Sequence, residues 1–236
     1  MSSWDQFALE TKSVFIAVPV HPSISELPLG FWMPLMNCVK PSKFHLTINT
    51  EFEIGTARNS CVREFLNTDF THILFLDCDI VLERDTILRL LAHAVPVISA
   101  LYFTKGGDMS AEAWHHSMVP WKRDEPIVKQ VEPGKFVYSR TGQPAPAVVE
   151  TELMGFGCVL CERSVFERLK PPWFYYSMVD ENLADDDRIS EDFYFCYSRL
   201  YKELGIRPLV DTTTRVGHMT KAVVMGTGQV ALTQRM

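Results

Sequence analysis

The strongest constraint on this chain is its alternation of uninterrupted apolar runs with segments of helical period. "SVFIAVPV" (13–20), "THILFLD" (71–77) and "VPVISALYF" (95–103) leave almost no polar face, as strands covered on both sides require. "KFHLTINT" (43–50) alternates instead, the pattern of a strand with one wet face. Between these runs, "TARNSCVREFLN" spaces Ala57, Cys61, Val62 and Phe65 for a helix that starts near Gly55 and Thr56. "ERDTILRLLAHA" does the same with Ile87, Leu90, Leu91 and Ala94. Strands and helices in alternation predict an α/β fold, a mostly parallel central sheet joined by right-handed crossovers and flanked by helices.

The alternation stops at 104–150, where Pro, Gly and charges dominate. This stretch is expected to be an irregular insert or flap with a short hairpin. Order resumes with "ELMGFGCVLCERSVFERL", a strand leading into a short helix. Ser190 then precedes a helix with Phe193, Cys196, Leu200 and Leu204 three or four apart and Gly205 as its stop. "IRPLVD" is a late strand, and 219–236 a tail. No internal repeat or low-complexity tract interrupts 1–236, so one domain is expected.

Composition excludes several classes. A formal charge of -6 from 23 basic and 29 acidic residues gives no support to a general polyanion binder. No stretch has the apolar length of a membrane span. Six cysteines form no regular framework, and Cys158 and Cys161, a lone CxxC inside an apolar run, lack the partners of a zinc set. Reduced, buried thiols and a cytoplasmic location (host cytoplasm if the chain is viral) are the expectation.

Against this background two acids stand out. "ILFLDCDIVL" places Asp77 and Asp79 at the end of a buried run, where an unpaired carboxylate is costly. A strand's period would turn both to one face and Cys78 to the core. Ligands of open α/β sheets collect at the carboxyl ends of strands. Two acids there could hold a divalent cation bridging to a diphosphate, or could merely open the next turn.

The ordered pieces "FIAVPV", "GTARNSCVREFL", "THILFLDCDIVLERDTILRLL", "VISALYF", "GFGCVLCERSVFERL", "WF", "SEDFYFCYSRLYKELG" and "VGHMT" together resemble the glycosyltransferases of the GT-A (Rossmann-like) fold. These are nucleotide-sugar-dependent enzymes with a D-x-D motif. The likeness is to the small family-two-like enzymes of microbes and phages, and "ARN" and "LDCDI" are also similar to fungal mannosyltransferases. It spans about 13–220 and leaves 104–150 poorly matched.

The resemblance implies a metal-dependent transfer of sugar from a nucleoside-diphosphate sugar (UDP- or GDP-linked) to an acceptor hydroxyl, with inversion by in-line attack, a retaining course staying open because the sequence identifies no separate nucleophile. Pro19 would line the nucleotide base, and Arg58 with Asn59 would reach the nucleotide or diphosphate. Asp77 would lie near ribose or metal, Asp79 would bind the metal, and His218 would be a third ligand. Gly155, Phe156 and Gly157 would wall the sugar pocket. Asp192 would be the general base, with Glu191 orienting the acceptor or taking its place. Carboxylate and imidazole ligands together favour Mn2+ over Mg2+.

The residues alone leave plainer readings open. Arg58 could be a solvated cation on a helix surface, His218 an ordinary hydrogen-bonded imidazole, and the glycines a bulge. Glu191 and Asp192 suit the first turn of any helix, whose dipole would lower their pKa and keep them ionised. Asp185, Asp186 and Asp187 read as a solvated loop, and His115 and His116 as surface or acceptor-side residues. Trp114, Trp121, Trp173 and Phe174 could stack on a ring or pack the core. The acceptor is open: a saccharide, a lipid-linked saccharide, a protein, or a modified DNA base if the chain is of phage origin. The alternatives are a nucleotidyltransferase acting on a sugar phosphate and a non-catalytic nucleotide-sugar-binding protein of the same fold. The first generally carries a Gly-rich basic loop where this chain has "PVHPSISELPLG".

Overall fold

The seven strands of the main sheet are β1 (Ser13–Val20), β2 (Lys43–Thr50), β3 (His72–Leu76), β4 (Val97–Leu101), β5 (Val148–Glu150), β6 (Cys158–Glu162) and β7 (Leu209–Arg215). Their spatial order is β5-β7-β4-β6-β3-β1-β2. The structure, a computed structural model, describes residues 11–103, 111, 113–116, 123–132, 135–178, 188–219, 222–224 and 230–232. β1 pairs in parallel with β2 and with β3, Ile16 lying opposite both Leu46 and Leu74. β7 is parallel to β4, whereas β6 runs antiparallel between β3 and β4 and β5 antiparallel to β7. The chain leaves β1 for β2 on one side and returns to β3 on the other. That reversal opens a crevice at the strand ends.

Period-two alternation along the strands feeds two separate cores. Phe15 and Ala17 of β1 join one face, with Cys61, Val62 and Phe65 of α2 (Ile54–Leu66). Val14, Ile16 and Val18 join the other, with Phe31 and Leu35 of α1 (Leu29–Asn37) and Ile87, Leu90 and Leu91 of α3 (Thr86–Ala92). Cys158 and Cys161 of β6 belong to opposite cores and both are free thiols. The CxxC is therefore two packing residues that happen to be three apart.

Several local expectations are revised. α1 is a helix that the sequence reading does not anticipate. It carries Pro34 inside it and has no side-chain cap, and its burial of Phe31 and Leu35 holds it in place. The antiparallel course of β6 is not visible in a run that is apolar on both faces. The insert is less irregular than expected. Val128–Glu132 and Lys135–Tyr138 form the anticipated hairpin. Ala113–His116 pairs with both Leu153–Met154 and Arg123–Pro126, tying the insert to the body. Trp121 and Asp185–Asp187 lie outside the described residues.

Beneath the crevice sits an aromatic cluster. The ring of Phe195 stacks on Phe174 (centroids 4.6 Å, 19°) and on Phe166 (5.5 Å, 17°), and meets the ring of Phe156 edge-on at 5.3 Å. Trp173 and Phe174 are thus core residues. Aromatic pairs of this kind add roughly 0.5–1.5 kcal/mol each beyond their buried area. Phe195→Ala is expected to cost about 3–5 kcal/mol in urea unfolding, whereas Phe44→Ala on the half-exposed edge strand β2 should cost less than about 1 kcal/mol.

Candidate active site

β3 ends at Leu76, so a turn, not strand period, positions the two acids. The amide of Asp77 donates to the carbonyl of Gly157, just ahead of β6 (2.9 Å), and the amide of Ile80 closes the turn onto the Asp77 carbonyl (3.0 Å). Cys78 is half-buried against the second core. Ile80–Val81 then pairs antiparallel with Gly217–His218, opposing Ile80 to His218. This short ladder brings residues 139 positions apart into contact (218 less 79): His218 Nε2 lies 3.6 Å from Asp79 Oδ1, and the Met219 amide donates to the Asp79 carbonyl at 2.7 Å.

The imidazole is oriented from behind. His218 Nδ1 is 2.8 Å from the Phe103 carbonyl, which can only accept, so Nδ1 carries the proton. In the neutral ring Nε2 then presents its lone pair to a carboxylate, and the two acceptors need a proton or a cation between them. An imidazole oriented in this way could serve as a metal ligand, its outer hydrogen bond being already made. Among the described residues no group of three or more His, Cys, Asp and Glu could hold a metal ion. Two protein ligands fit a cation whose other positions are filled by water or by phosphate oxygens of a ligand.

Asp77 takes a different partner. Arg58, on α2, has 3% of its side chain exposed; its Nη2 lies 3.2 Å from Asp77 Oδ1 and its Nη1 donates to Glu191 Oε1. Phe156 and Phe174 lie under the guanidinium, 5.6 and 6.0 Å from Cζ. Burial alone would lower the Arg58 pKa, but Asp77 and then Glu191 outweigh it and hold the cation charged. Arg58 is thus neither solvated nor turned to the crevice: it bridges the strand-end Asp77 and Glu191. Its Nε is buried and has no hydrogen-bond partner among the described residues. Asp77 keeps a third of its side-chain surface open although it lies deep in the fold. Burial raises its pKa, Arg58 opposes this, and Asp79 adds to it.

Glu191 and Asp192 open α5 (Glu191–Tyr194), which continues as a π-helix over Phe195–Leu204 and stops at Gly205. Ser190 sits at the N-cap, but its hydroxyl donates to Asp192 Oδ1, and the Phe193 amide donates to that same oxygen at 2.8 Å. Glu191 is buried on Arg58, while Asp192 is half-exposed. The expected lowering of the Asp192 pKa is reversed: burial, then the neighbouring Glu191 charge, push it up to about 6. Gly55 makes the approach of α5 possible, since a Cβ there would stand 3.3 Å from Glu191 Cβ and 2.8 Å from Glu53 Oε1.

The remaining expected residues are placed more plainly. Asn59 is consumed by structure: its Nδ2 donates to the Phe174 carbonyl (2.7 Å), and its Oδ1 accepts from the Trp173 and Phe174 amides (2.9 and 3.1 Å). Pro19 is buried in β1 opposite Asn49, and His21 is the residue there that reaches open space. Gly155 is buried. Phe156 is in the aromatic core and supports Arg58 from beneath. At Gly157 an added Cβ would meet the Tyr102 ring at 2.9 Å, and the Gly157 amide donates to the Tyr102 hydroxyl at 2.9 Å. A protein side chain therefore already accounts for that glycine.

Sequence reasoning missed Tyr176, whose hydroxyl is bonded to Glu191 and whose pKa is raised by burial and then by that charge. It also missed a cleft of ≈ 950 Å³ at the carboxyl ends of β1 and β2, bounded by His21, Phe52, Tyr175, Tyr176 and Ser190. An aromatic run such as "WFYYS" is the only signal for it, and half of that run is core.

No protein-family model matches the chain, and no curated protein matches its sequence. Among solved structures, the crystal structure of A197 from STIV aligns over 96% of both chains with 17% identity and a TM-score of 0.58. The crystal structure of S. aureus TarS aligns with 89% of this chain and 37% of its own at 11% identity and a TM-score of 0.50. That of GalNAc-T7 with UDP, GalNAc and Mn2+ aligns with 88% and 43% at 16% identity and a TM-score of 0.46. This chain spans little more than a third of TarS. The fold is that of the GT-A glycosyltransferases, with a mostly parallel seven-stranded sheet between helical layers. Among the described residues no helix is long and apolar enough to cross a membrane.

Removing the bridge tests its electrostatic account. Arg58→Met leaves two buried carboxylates without their cation, at a cost of about 3–5 kcal/mol near neutral pH. Those acids then have folded pKa values above their unfolded ones. The folded state holds protons that the unfolded state releases, so stability rises as pH falls through those values. Urea unfolding at pH 7.5 and pH 5 (roughly one unit above the ordinary carboxylate range) should show the deficit shrinking at the lower pH.

Proposed function

We propose that the protein is a metal-dependent glycosyltransferase that moves a sugar from a nucleoside-diphosphate sugar to an acceptor hydroxyl with inversion at the anomeric carbon. The observation that carries this reading is the pairing of Asp79 with His218 at the strand end, its Nδ1 proton committed to the Phe103 carbonyl. A general GT-A architecture supports it.

Asp79 and His218 are the residues that would hold the cation, and Mn2+ suits their mixed oxygen and nitrogen donors. When bound, such a cation supplies Lewis-acid stabilisation of the leaving diphosphate. Asp77, paired to Arg58, shapes the field beside it and is the weaker candidate for ligation. Asp192 accepts the proton of the acceptor hydroxyl as that oxygen attacks, a role for which a carboxyl titrating at about 6 is well matched near neutral pH. Glu191 orients Asp192 through the buried Arg58 contact and does not serve as the base. The Ser190 hydroxyl and Phe193 amide fix one oxygen of Asp192, so proton acceptance falls to the other.

Liberation of nucleoside diphosphate from a panel of UDP- and GDP-sugars, with and without Mn2+, tests the assignment. Asp79→Ala should abolish the metal-stimulated part while urea unfolding stays cooperative; undiminished turnover would sink the metal site. Asp192→Asn should lower transfer by roughly 10²–10⁴-fold. In the wild type kcat/KM should fall below about pH 6, because protonated Asp192 cannot accept, and level off above it. An acid limb that persists at the same pH in Asp192→Asn would assign the proton transfer elsewhere.

A further inference from the structure

We infer that Asp211 is a positioning residue for His218: its carboxylate holds a three-residue bulge in β7 that decides which side chain reaches Asp79. This deepens the glycosyltransferase reading above and rests on it for the role given to His218.

β7 runs in register with β4 from Leu209 opposite Ile98 to Asp211 opposite Ala100. The next residue of β4, Leu101, is met by Arg215, so Thr212, Thr213 and Thr214 are extra. Beyond them the chain returns to β4: the Val216 amide donates to the Leu101 carbonyl at 3.0 Å, and His218 Nδ1 reaches the Phe103 carbonyl. Bulges re-aim the side chains that follow them, and one of odd length exchanges the residues shown to each face. Without these three residues the place of His218 would fall to Arg215 (218 less 3). A guanidinium has donors only and cannot ligate a cation. An imidazole beside Asp79 therefore depends on the bulge.

The bulge is wound around one carboxylate. Asp211 Oδ1 accepts from the Thr213 amide (2.8 Å), the Thr213 hydroxyl (2.6 Å) and the Thr214 amide (3.0 Å). Oδ2 accepts from the Thr214 hydroxyl at 2.6 Å and lies 3.0 Å from Nε2 of His93, just past α3. Asp211 is 2% exposed and Thr214 is fully buried, which keeps water from substituting for these bonds. Burial alone would raise the pKa of Asp211, but the Thr213 and Thr214 hydroxyls, then His93, outweigh it and hold the carboxyl below its ordinary range.

The outer side of the bulge is anchored as well. Thr212 donates through its amide to the Ala147 carbonyl (3.0 Å) and through its hydroxyl to the Pro146 carbonyl, while Arg89 Nη2 donates to the Thr213 hydroxyl at 2.7 Å. Fixed on both sides, the bulge delivers Gly217 and His218 to their ladder with Ile80 and Val81 in a single register.

Two measurements test this: nitrogen-15 NMR of histidine-labelled protein, which reads the His218 tautomer, and Mn2+ titration followed by electron paramagnetic resonance. The His218 signal is assigned by its loss in His218→Ala. Thr214→Val removes one buried hydroxyl from Asp211; it should disturb the Nδ1-protonated His218 signal and weaken Mn2+ binding by roughly 10–100-fold. Asp211→Asn should do at least as much, and Thr214→Val decides alone if that variant does not unfold cooperatively in urea. Thr214→Ser, which keeps the hydroxyl, should match the wild type. So should Thr71→Val, which loses a hydroxyl bonded to the Ser13 carbonyl at the end of β3 away from Asp77. The inference is overturned if folded Thr214→Val keeps the wild-type His218 signal and Mn2+ affinity, or if Thr71→Val loses them equally. Absence of Mn2+ binding by the wild type would remove the metal reading instead, and the His218 signal would still decide whether Asp211 positions the imidazole.

Discussion

A single buried guanidinium holds this site together. Arg58 lies between the carboxylate that ends β3 and the one that starts α5, with two phenylalanine rings beneath it. Burying one cation and two anions is expensive, and the attraction between them recovers that cost only when the geometry is well supplied with hydrogen bonds. The recovery here comes from a rigid setting. Stacked Phe174 and Phe195 set the floor, Asn59 clamps the loop that carries Phe174, and Gly55 lets α5 close on α2. Moving any of these would leave an unbalanced charge inside the protein, so the bridge fixes Asp192 relative to the strand end.

Around that bridge the acids of one neighbourhood divide their roles by environment. Asp77 and Glu191 are spent on Arg58. Asp79 meets an imidazole whose other nitrogen is committed to a backbone carbonyl, leaving a gap suited to a cation. Burial, then the neighbouring Glu191 charge, push Asp192 up to about 6. These four carboxylates thus differ in partner, and burial raises the proton affinity of Asp77 and Asp192 among them.

Much of this was legible in the chain. Apolar runs and helical spacing located β1, β2, β3, α2, α3 and β6 within a few residues, because burial on one or both faces imposes a period that composition cannot hide. The resemblance implied a ligand set that included Asp79 and His218; the two-residue ladder at 80–81 and 217–218 is what brings these two together. What could not be read depended on long-range packing. Arg58 resembled a solvated helix cation because nothing local reveals that α5 covers it. Asn59 and Phe156 looked like ligand contacts and proved to be a loop clamp and a core ring. The direction of the Asp192 shift was missed because a dipole argument is local and burial is not. Helix α1 carries Pro34, whose cost is offset by the burial of Phe31 and Leu35.

The central claim is that Asp79 and His218 form a cation site completed by a nucleoside diphosphate. Electron paramagnetic resonance of Mn2+ titrated into the protein, with UDP or GDP present or absent, measures it without any acceptor. Binding should tighten when the diphosphate is added and should weaken by roughly tenfold or more in His218→Ala. Equal Mn2+ affinity in the wild type and His218→Ala, with no response to either diphosphate, would contradict the account.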